Sequence, residues 1–119
     1  MIKKILITGG AGYIGSMLTS KLIKMGYHVT VIDLLKYSST SLNHLSFSKN
    51  FKLIVGDVRK KELIKKEIKK NEFIIPLAAL VGAPLCDKYK KEAISTNLDS
   101  VNLLMKNITK KNKVIFFDI

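Results

Sequence analysis

Short apolar runs alternate with amphipathic stretches along the chain, and this alternation predicts a repeating order of strands and helices. Five runs rich in β-branched or aromatic residues are typical of buried strands, at residues 5–7, 27–33, 51–56, 73–79 and 113–117. Apolar residues at helical spacing predict helices at 13–25, 60–70 and 88–107. Residues 34–50 have no clear period and are predicted to form a loop or a loop with a short helix. Together these elements indicate an α/β fold with a doubly wound parallel sheet and strand order 3-2-1-4-5.

Two of these elements carry more detailed predictions. The apolar stripe of the first helix should face the sheet, and its members are Ile14, Met17, Leu18, Leu22 and Met25. Gly26 follows as a left-handed helix stop. Pro76 lies inside the fourth strand, where it cannot donate a hydrogen bond to the ladder, so pairing should be lost near that residue.

A glycine-rich segment joins the first strand to the first helix. In a dinucleotide site, Gly12 would leave room for a pyrophosphate to approach the main chain, and Gly15 would let the helix pack close to the strand. The helix N-terminus would then direct free N–H groups and its positive dipole end at the phosphates. Two registers fit, one starting at Gly10 and a wider one starting at Gly9. An ordinary glycine-rich turn is the alternative interpretation.

Asp33 ends the second strand 18 residues beyond Gly15. This is close to the offset of about 20 expected for the acid that binds the adenosine ribose. A carboxylate there accepts hydrogen bonds from both ribose hydroxyls and repels a 2′-phosphate. Asp33 therefore favours NAD over NADP, although Lys36 nearby would soften the preference. The alternative is an aspartate that only ends a strand.

Length, charge and cysteine content narrow the class of protein further. The 119 residues are enough for one domain, and no apolar run approaches the roughly 20 residues of a membrane span. The net charge of +12 comes almost wholly from scattered lysines, with Arg59 the only arginine, whereas a nucleic-acid surface concentrates charge and uses arginine. The single Cys86 fits a reducing compartment, so the predicted location is the cytoplasm.

With these residues identified, the whole chain resembles the extended short-chain dehydrogenase/reductase superfamily, and within it the NAD-dependent nucleotide-sugar epimerases and dehydratases, which have a Rossmann fold. The resemblance rests on residues 8–16 (TGGAGYIGS), Asp33, residues 56–58 (GDV), residues 77–79 (LAA) and Asn97. The family often has histidine where this chain has Pro76.

The resemblance implies a set of cofactor-binding residues. It comprises Gly9, Gly12, Tyr13, Ile14, Gly15, Asp33, Asp57, Val58, Leu77, Ala78, Ala79 and Asn97. By the same resemblance, Asp57 meets the adenine, residues 77–79 pass beside the cofactor, and Asn97 supports the active site. The implied cofactor is NAD. The implied substrate of the complete enzyme is a nucleotide sugar, and its implied assembly is a homodimer. No specific nucleic-acid partner, membrane partner or metal ion is expected.

The family's catalytic Tyr-x-x-x-Lys pair is missing from this chain. None of its tyrosines, at positions 13, 27, 37 and 89, has lysine four residues later, so no catalytic residue is assigned. We therefore interpret residues 1–119 as the NAD-binding domain, an N-terminal fragment of an enzyme that transfers hydride reversibly at a sugar carbon. The alternatives are a stand-alone NAD-binding module without catalysis and, with less support, a lysine-driven nucleic-acid binder.

Overall fold

The computed structural model describes residues 3–9, 13–34, 42–77 and 99–116. Within them the strands are β1 (Lys4–Thr8), β2 (His28–Asp33), β3 (Phe51–Val55), β4 (Phe73–Pro76) and β5 (Lys113–Val114). The helices are α1 (Tyr13–Lys24), α2 (Lys61–Lys70) and a third, α3, described over residues 99–107. A 3₁₀ turn at Asn43–Leu45 lies between β2 and β3, which agrees with the second of the two alternatives given for this segment, a loop with a short helix.

All five strands form one parallel sheet in the order β3-β2-β1-β4-β5, which confirms the predicted fold class and strand order. Alternate residues of each strand point to opposite faces, so the sheet has two apolar layers. One layer packs under α1 and the 3₁₀ turn, with Ile7, Val31 and Leu45 among its buried residues. The other packs under α2 and α3, and Leu6, Ile64 and Leu104 belong to it.

The predicted inward stripe of α1 is wrong at three of its positions. Ile14, Met17 and Met25 are 43%, 58% and 61% exposed, while the helix turns Gly15 and Thr19 toward the sheet. The members of the packed face are Gly15, Leu18, Thr19, Leu22 and Ile23. Small residues in this face allow the helix backbone to lie closer to the strands than a face led by methionine would.

The last two strands are shorter than predicted. β4 ends at Pro76, four residues long, and Leu77 already belongs to a 3₁₀ turn, in agreement with the loss of pairing expected at the proline. β5 covers only Lys113–Val114, and the following residues 115–116 are not strand. No helix in the described ranges is both long enough and apolar enough to cross a bilayer.

Candidate cofactor site

Gly9, Asp33 and Asp57, three of the positions predicted to bind the cofactor, lie at one edge of the sheet, where the carboxyl ends of β1, β2 and β3 are found. Gly9 follows β1, Asp33 ends β2 and Gly56 follows β3. Because the strands are parallel, their carboxyl ends share an edge, and two backbone hydrogen bonds link neighbouring strands there. The Gly9 N–H donates to the Ile32 carbonyl at 2.7 Å, and the Gly56 N–H donates to the Asp33 carbonyl at 3.0 Å.

The topological switch point of the sheet lies at this same edge, between β1 and β4. From the central strand β1, the chain moves to β2 and β3 on one side and then crosses to β4 and β5 on the other. In open α/β sheets such a reversal leaves a crevice beyond the strand ends, and ligands bind there. The strand order therefore places Gly9 and Asp33 at the strand ends where such a crevice is expected.

The turn after β1 begins with a glycine in a left-handed conformation. Gly9 has a φ of 79°, in the left-handed region that L side chains rarely adopt. Only residues 10–12 separate it from Tyr13, where α1 begins, so the helix N-terminus lies next to the end of the central strand. Gly12 itself lies outside the described residues.

Two neighbouring residues at the start of α1 have different environments. Gly15 is buried against the sheet, as expected for a glycine that allows close packing of helix and strand. Ile14 is 43% exposed, so its side chain remains accessible at this end of the helix. Tyr13 is the first residue of the helix, so its backbone lies at the helix N-terminus.

The turn after β3 holds a carboxylate in a fixed geometry. Asp57 Oδ1 accepts the backbone N–H of Arg59 at 2.8 Å and its Nε–H at 3.1 Å, and Oδ2 accepts Nη2–H at 2.9 Å. The side-chain hydrogen bonds from Arg59 hold the pKa of Asp57 below its ordinary value, against the opposing effect of burial. Asp57 therefore stays ionised, and its side chain keeps 19% of its surface exposed.

Val58 and Leu77 contribute mainly to the core. They are 5% and 7% exposed and belong to opposite apolar layers of the sheet. Because both side chains are buried, a ligand could contact these two residues only through their backbone atoms. The other predicted contacts, Ala78, Ala79 and Asn97, lie outside the described residues.

Sequence reasoning missed Arg59 as a residue of this site. Its signals were present, because it is the only arginine and stands two residues after the predicted adenine acid, the spacing of an Asx turn. Asp99, in the described part of α3, also raises the pKa of Arg59, so the guanidinium is attracted by carboxylates of two different elements.

Comparison with known proteins identifies the family. The sequence model of the NAD-dependent epimerase/dehydratase family matches residues 5–117, and the chain belongs to this family. It is 35% identical to a UDP-N-acetyl-alpha-D-glucosaminuronate decarboxylase of Bacillus cytotoxicus, over 98% of this chain and 36% of the relative. It is 31% identical to a UDP-glucose 4-epimerase of Rickettsia conorii, over 95% of this chain and 35% of that protein.

Among solved structures, the chain is similar to the UDP-glucose 4-epimerase of Thermotoga maritima with UDP-glucose. The TM-score is 0.79 at 29% identity, over 95% of this chain and 37% of the other. The chain thus spans about a third of the length of the curated relatives it matches, 36% and 35% of the two above.

The described residues fit an adenine dinucleotide on chemical grounds. A left-handed glycine and a helix N-terminus suit a pyrophosphate, and two carboxylates at neighbouring strand ends suit hydroxyl and amino donors. By contrast, no group of three or more His, Cys, Asp or Glu side chains in the described ranges is placed to hold a metal ion.

Proposed function

We propose that this chain is the NAD(H)-binding portion of a nucleotide-sugar epimerase or dehydratase. The observation that carries the proposal is the row formed by Gly9, Asp33 and Asp57 at the switch point of the sheet. Family membership supports it, and both curated relatives described above are named for reactions of UDP-sugars.

In this proposal each part of the edge binds one part of the cofactor. The turn with Gly9 and Gly12, together with the amides of Tyr13, Ile14 and Gly15, binds the pyrophosphate. Asp33 accepts hydrogen bonds from the adenosine ribose. Asp57 accepts one from the adenine amino group, next to the backbone of Val58.

The remaining proposed contacts lie beyond the fourth strand. The backbone of Leu77, with Ala78 and Ala79, passes beside the cofactor, and Asn97 supports the active site. When bound, NAD supplies the hydride acceptor for oxidation of a sugar carbon. The chain supplies binding and orientation for this chemistry.

We further propose that residues 1–119 form one NAD-binding domain, the N-terminal fragment of a longer enzyme, and do not turn over substrate alone. Removing a proton from a sugar hydroxyl needs a base within hydrogen-bond reach, and the tyrosine–lysine pair is missing from the sequence. The cytoplasm as location, a homodimer as the complete enzyme's assembly, and the lack of a specific nucleic-acid or membrane partner remain predictions.

Calorimetric titration with NAD and NADP tests the proposed site. The wild-type chain should bind NAD about tenfold or more tightly than NADP, because Asp33 pairs with the ribose hydroxyls and repels a 2′-phosphate. Asp33→Asn should lose most of this preference. Glu72→Gln is the matched control, because it removes the same charge at the opposite edge of the sheet, where Glu72 pairs with Lys3 at 3.4 Å. Tighter binding of NADP by the wild type would refute the role of Asp33.

A further inference from the structure

The environment of Asp57 limits what the carboxylate can bind. A carboxylate has about four acceptor positions on its two oxygens. Arg59 occupies both positions on Oδ1, through its backbone N–H and Nε–H, and one on Oδ2, through Nη2–H. Among the described residues, these bonds leave a single acceptor position on Oδ2, and the side chain is 19% exposed and within reach of a ligand.

We propose that Arg59 is a positioning residue that makes Asp57 a single, fixed hydrogen-bond acceptor and so selects a purine with an amino group over one with a keto group. This inference rests on the proposed function, in which Asp57 meets the cofactor's purine. It assigns to Arg59 the selection of adenine over hypoxanthine, whose keto oxygen has no hydrogen to donate and would face a carboxylate oxygen.

Three features of Arg59 suit it for this role. Its planar guanidinium donates to both oxygens of the carboxylate at once, which an ammonium group cannot reproduce. Its backbone N–H holds the same carboxylate in an Asx turn, so the side chain is restrained from two directions. The charge of Asp99 in α3 also attracts the guanidinium and raises the pKa of Arg59.

The ionisation state of Asp57 supports the same selection. A protonated carboxyl could donate to the keto oxygen of hypoxanthine, whereas an ionised one only accepts. The charged groups that act on this carboxyl within the described chain are Arg59 and Lys60 of its own turn, with Asp99 acting on Arg59. The hydrogen bonds from Arg59 have the largest effect and lower the pKa of Asp57.

The test compares NAD with nicotinamide hypoxanthine dinucleotide, which differs from NAD at the purine. Both are titrated calorimetrically into the wild-type chain, Arg59→Lys, Arg59→Gln and the control Lys60→Gln. Lys60 is the matched control because it lies in the same turn and also lowers the pKa of Asp57, but only through its charge. The Arg59 variants should lower the ratio of the two affinities about tenfold, the effect of about one charged hydrogen bond. Lys60→Gln should keep the wild-type ratio.

A second readout separates positioning from a general effect on folding. The preference for NAD should disappear at a higher pH in Arg59→Gln than in the wild type, because the pKa of Asp57 rises when its donor is removed. Arg59→Lys keeps the charge and provides a folded comparison if Arg59→Gln does not fold.

Two results would overturn the inference. The first is that both Arg59 variants keep the wild-type ratio of affinities for the two dinucleotides and its wild-type dependence on pH. The second is that Lys60→Gln loses as much of the preference for NAD as the Arg59 variants do. A wild-type chain that binds neither dinucleotide would instead refute the proposed function, and with it the premise of this inference. Failure of the inference alone would leave NAD binding by the wild type intact.

Discussion

Asp57 and Arg59 show at the scale of single residues how a short turn sets the charge of a side chain. The carboxylate accepts three hydrogen bonds from a residue two positions away, and its pKa falls as a result. The contact is local, so folding fixes it without the cost of closing a long loop. The turn therefore presents an ionised group at the carboxyl ends of the strands.

The lowered pKa of Asp57 predicts a specific dependence of stability on pH. A depressed carboxyl pKa means that the folded state binds fewer protons, so this contribution is complete above the unfolded pKa of about 3.9 and disappears as the pH falls through the lower folded value. At pH 7 Arg59→Gln should lower the free energy of unfolding by about 1 kcal/mol. This value is lower than is usual for hydrogen bonds to a charged group, because the Arg59 side chain is 33% exposed and solvent screens the interaction.

Urea unfolding of the wild type and Arg59→Gln at several pH values from 7 to 3 measures this contribution. The difference between the two proteins should be constant above the ordinary carboxyl range and should narrow below about pH 4. Lys60→Gln, which loses a charge but no hydrogen bond to Asp57, should show a smaller difference at pH 7. A difference that does not change with pH would contradict the assignment to Asp57.

The sequence predicts the location of those site residues that stand at or just after the end of a strand. Asp33 and Asp57 directly end or closely follow apolar strands, and the parallel sheet brings such positions to one edge. The role of Arg59 could not be predicted in this way. It depends on the side-chain geometry of the turn and on a carboxylate 40 residues later, at Asp99.

At the scale of elements, α1 shows the limit of hydrophobic patterning. Its position, length and stop at Gly26 were predicted correctly, and Gly26 adopts the left-handed φ of 94° expected of a helix stop. The buried face was predicted only in part. Leu18 and Leu22 pack against the core as expected, but two adjacent stripes are both rich in apolar residues and periodicity alone does not choose between them. Close packing favours the stripe with Gly15 and Thr19, which leaves Met17 exposed.

Thr19 provides a test of this buried face. Its side chain is fully buried, and its hydroxyl has no hydrogen-bond partner in the described structure. Thr19→Val keeps the shape and removes the unsatisfied polar atom, so it should raise the free energy of unfolding by about 1 kcal/mol. Chemical denaturation followed by circular dichroism measures the change.

Two variants serve as controls for Thr19→Val. Thr19→Ala removes the same hydroxyl but also a buried methyl group, so it should be less stable than Thr19→Val by about 1 kcal/mol. Met17→Ala, on the exposed side of the same helix, should change stability by less than about 0.5 kcal/mol. A large loss in Met17→Ala with no effect at Thr19 would restore the stripe predicted from sequence.

At the scale of the whole molecule, the order of the strands is more predictable than their extent. Alternating strands and helices restrict the topology to very few arrangements, and the observed order is the expected one. The length of a strand depends on its neighbours, and β5 pairs with β4 over only two residue pairs. In the described sheet β5 has no strand on its outer side.

Because β5 is an unpaired outer strand of the described sheet, we expect the purified chain to self-associate despite its net charge of +12. Ile115 and Phe116 are 41% and 54% exposed directly after β5, and an exposed apolar edge is a template for pairing with another chain. Phe116→Lys should shift the chain toward the monomer, with an increase of about tenfold or more in the dissociation constant, because a buried Phe contributes about 1.5–3 kcal/mol.

Phe47→Lys is the matched control for this edge, since it makes the same chemical change at a residue that is 96% exposed and lies after the 3₁₀ turn, away from β5. Light scattering coupled to size-exclusion chromatography at several protein concentrations gives the mass of each variant. If the two variants dissociate the assembly equally, added charge rather than the β5 edge is the cause. A wild-type chain that stays monomeric at all concentrations would show that the exposed apolar residues beside β5 do not drive association.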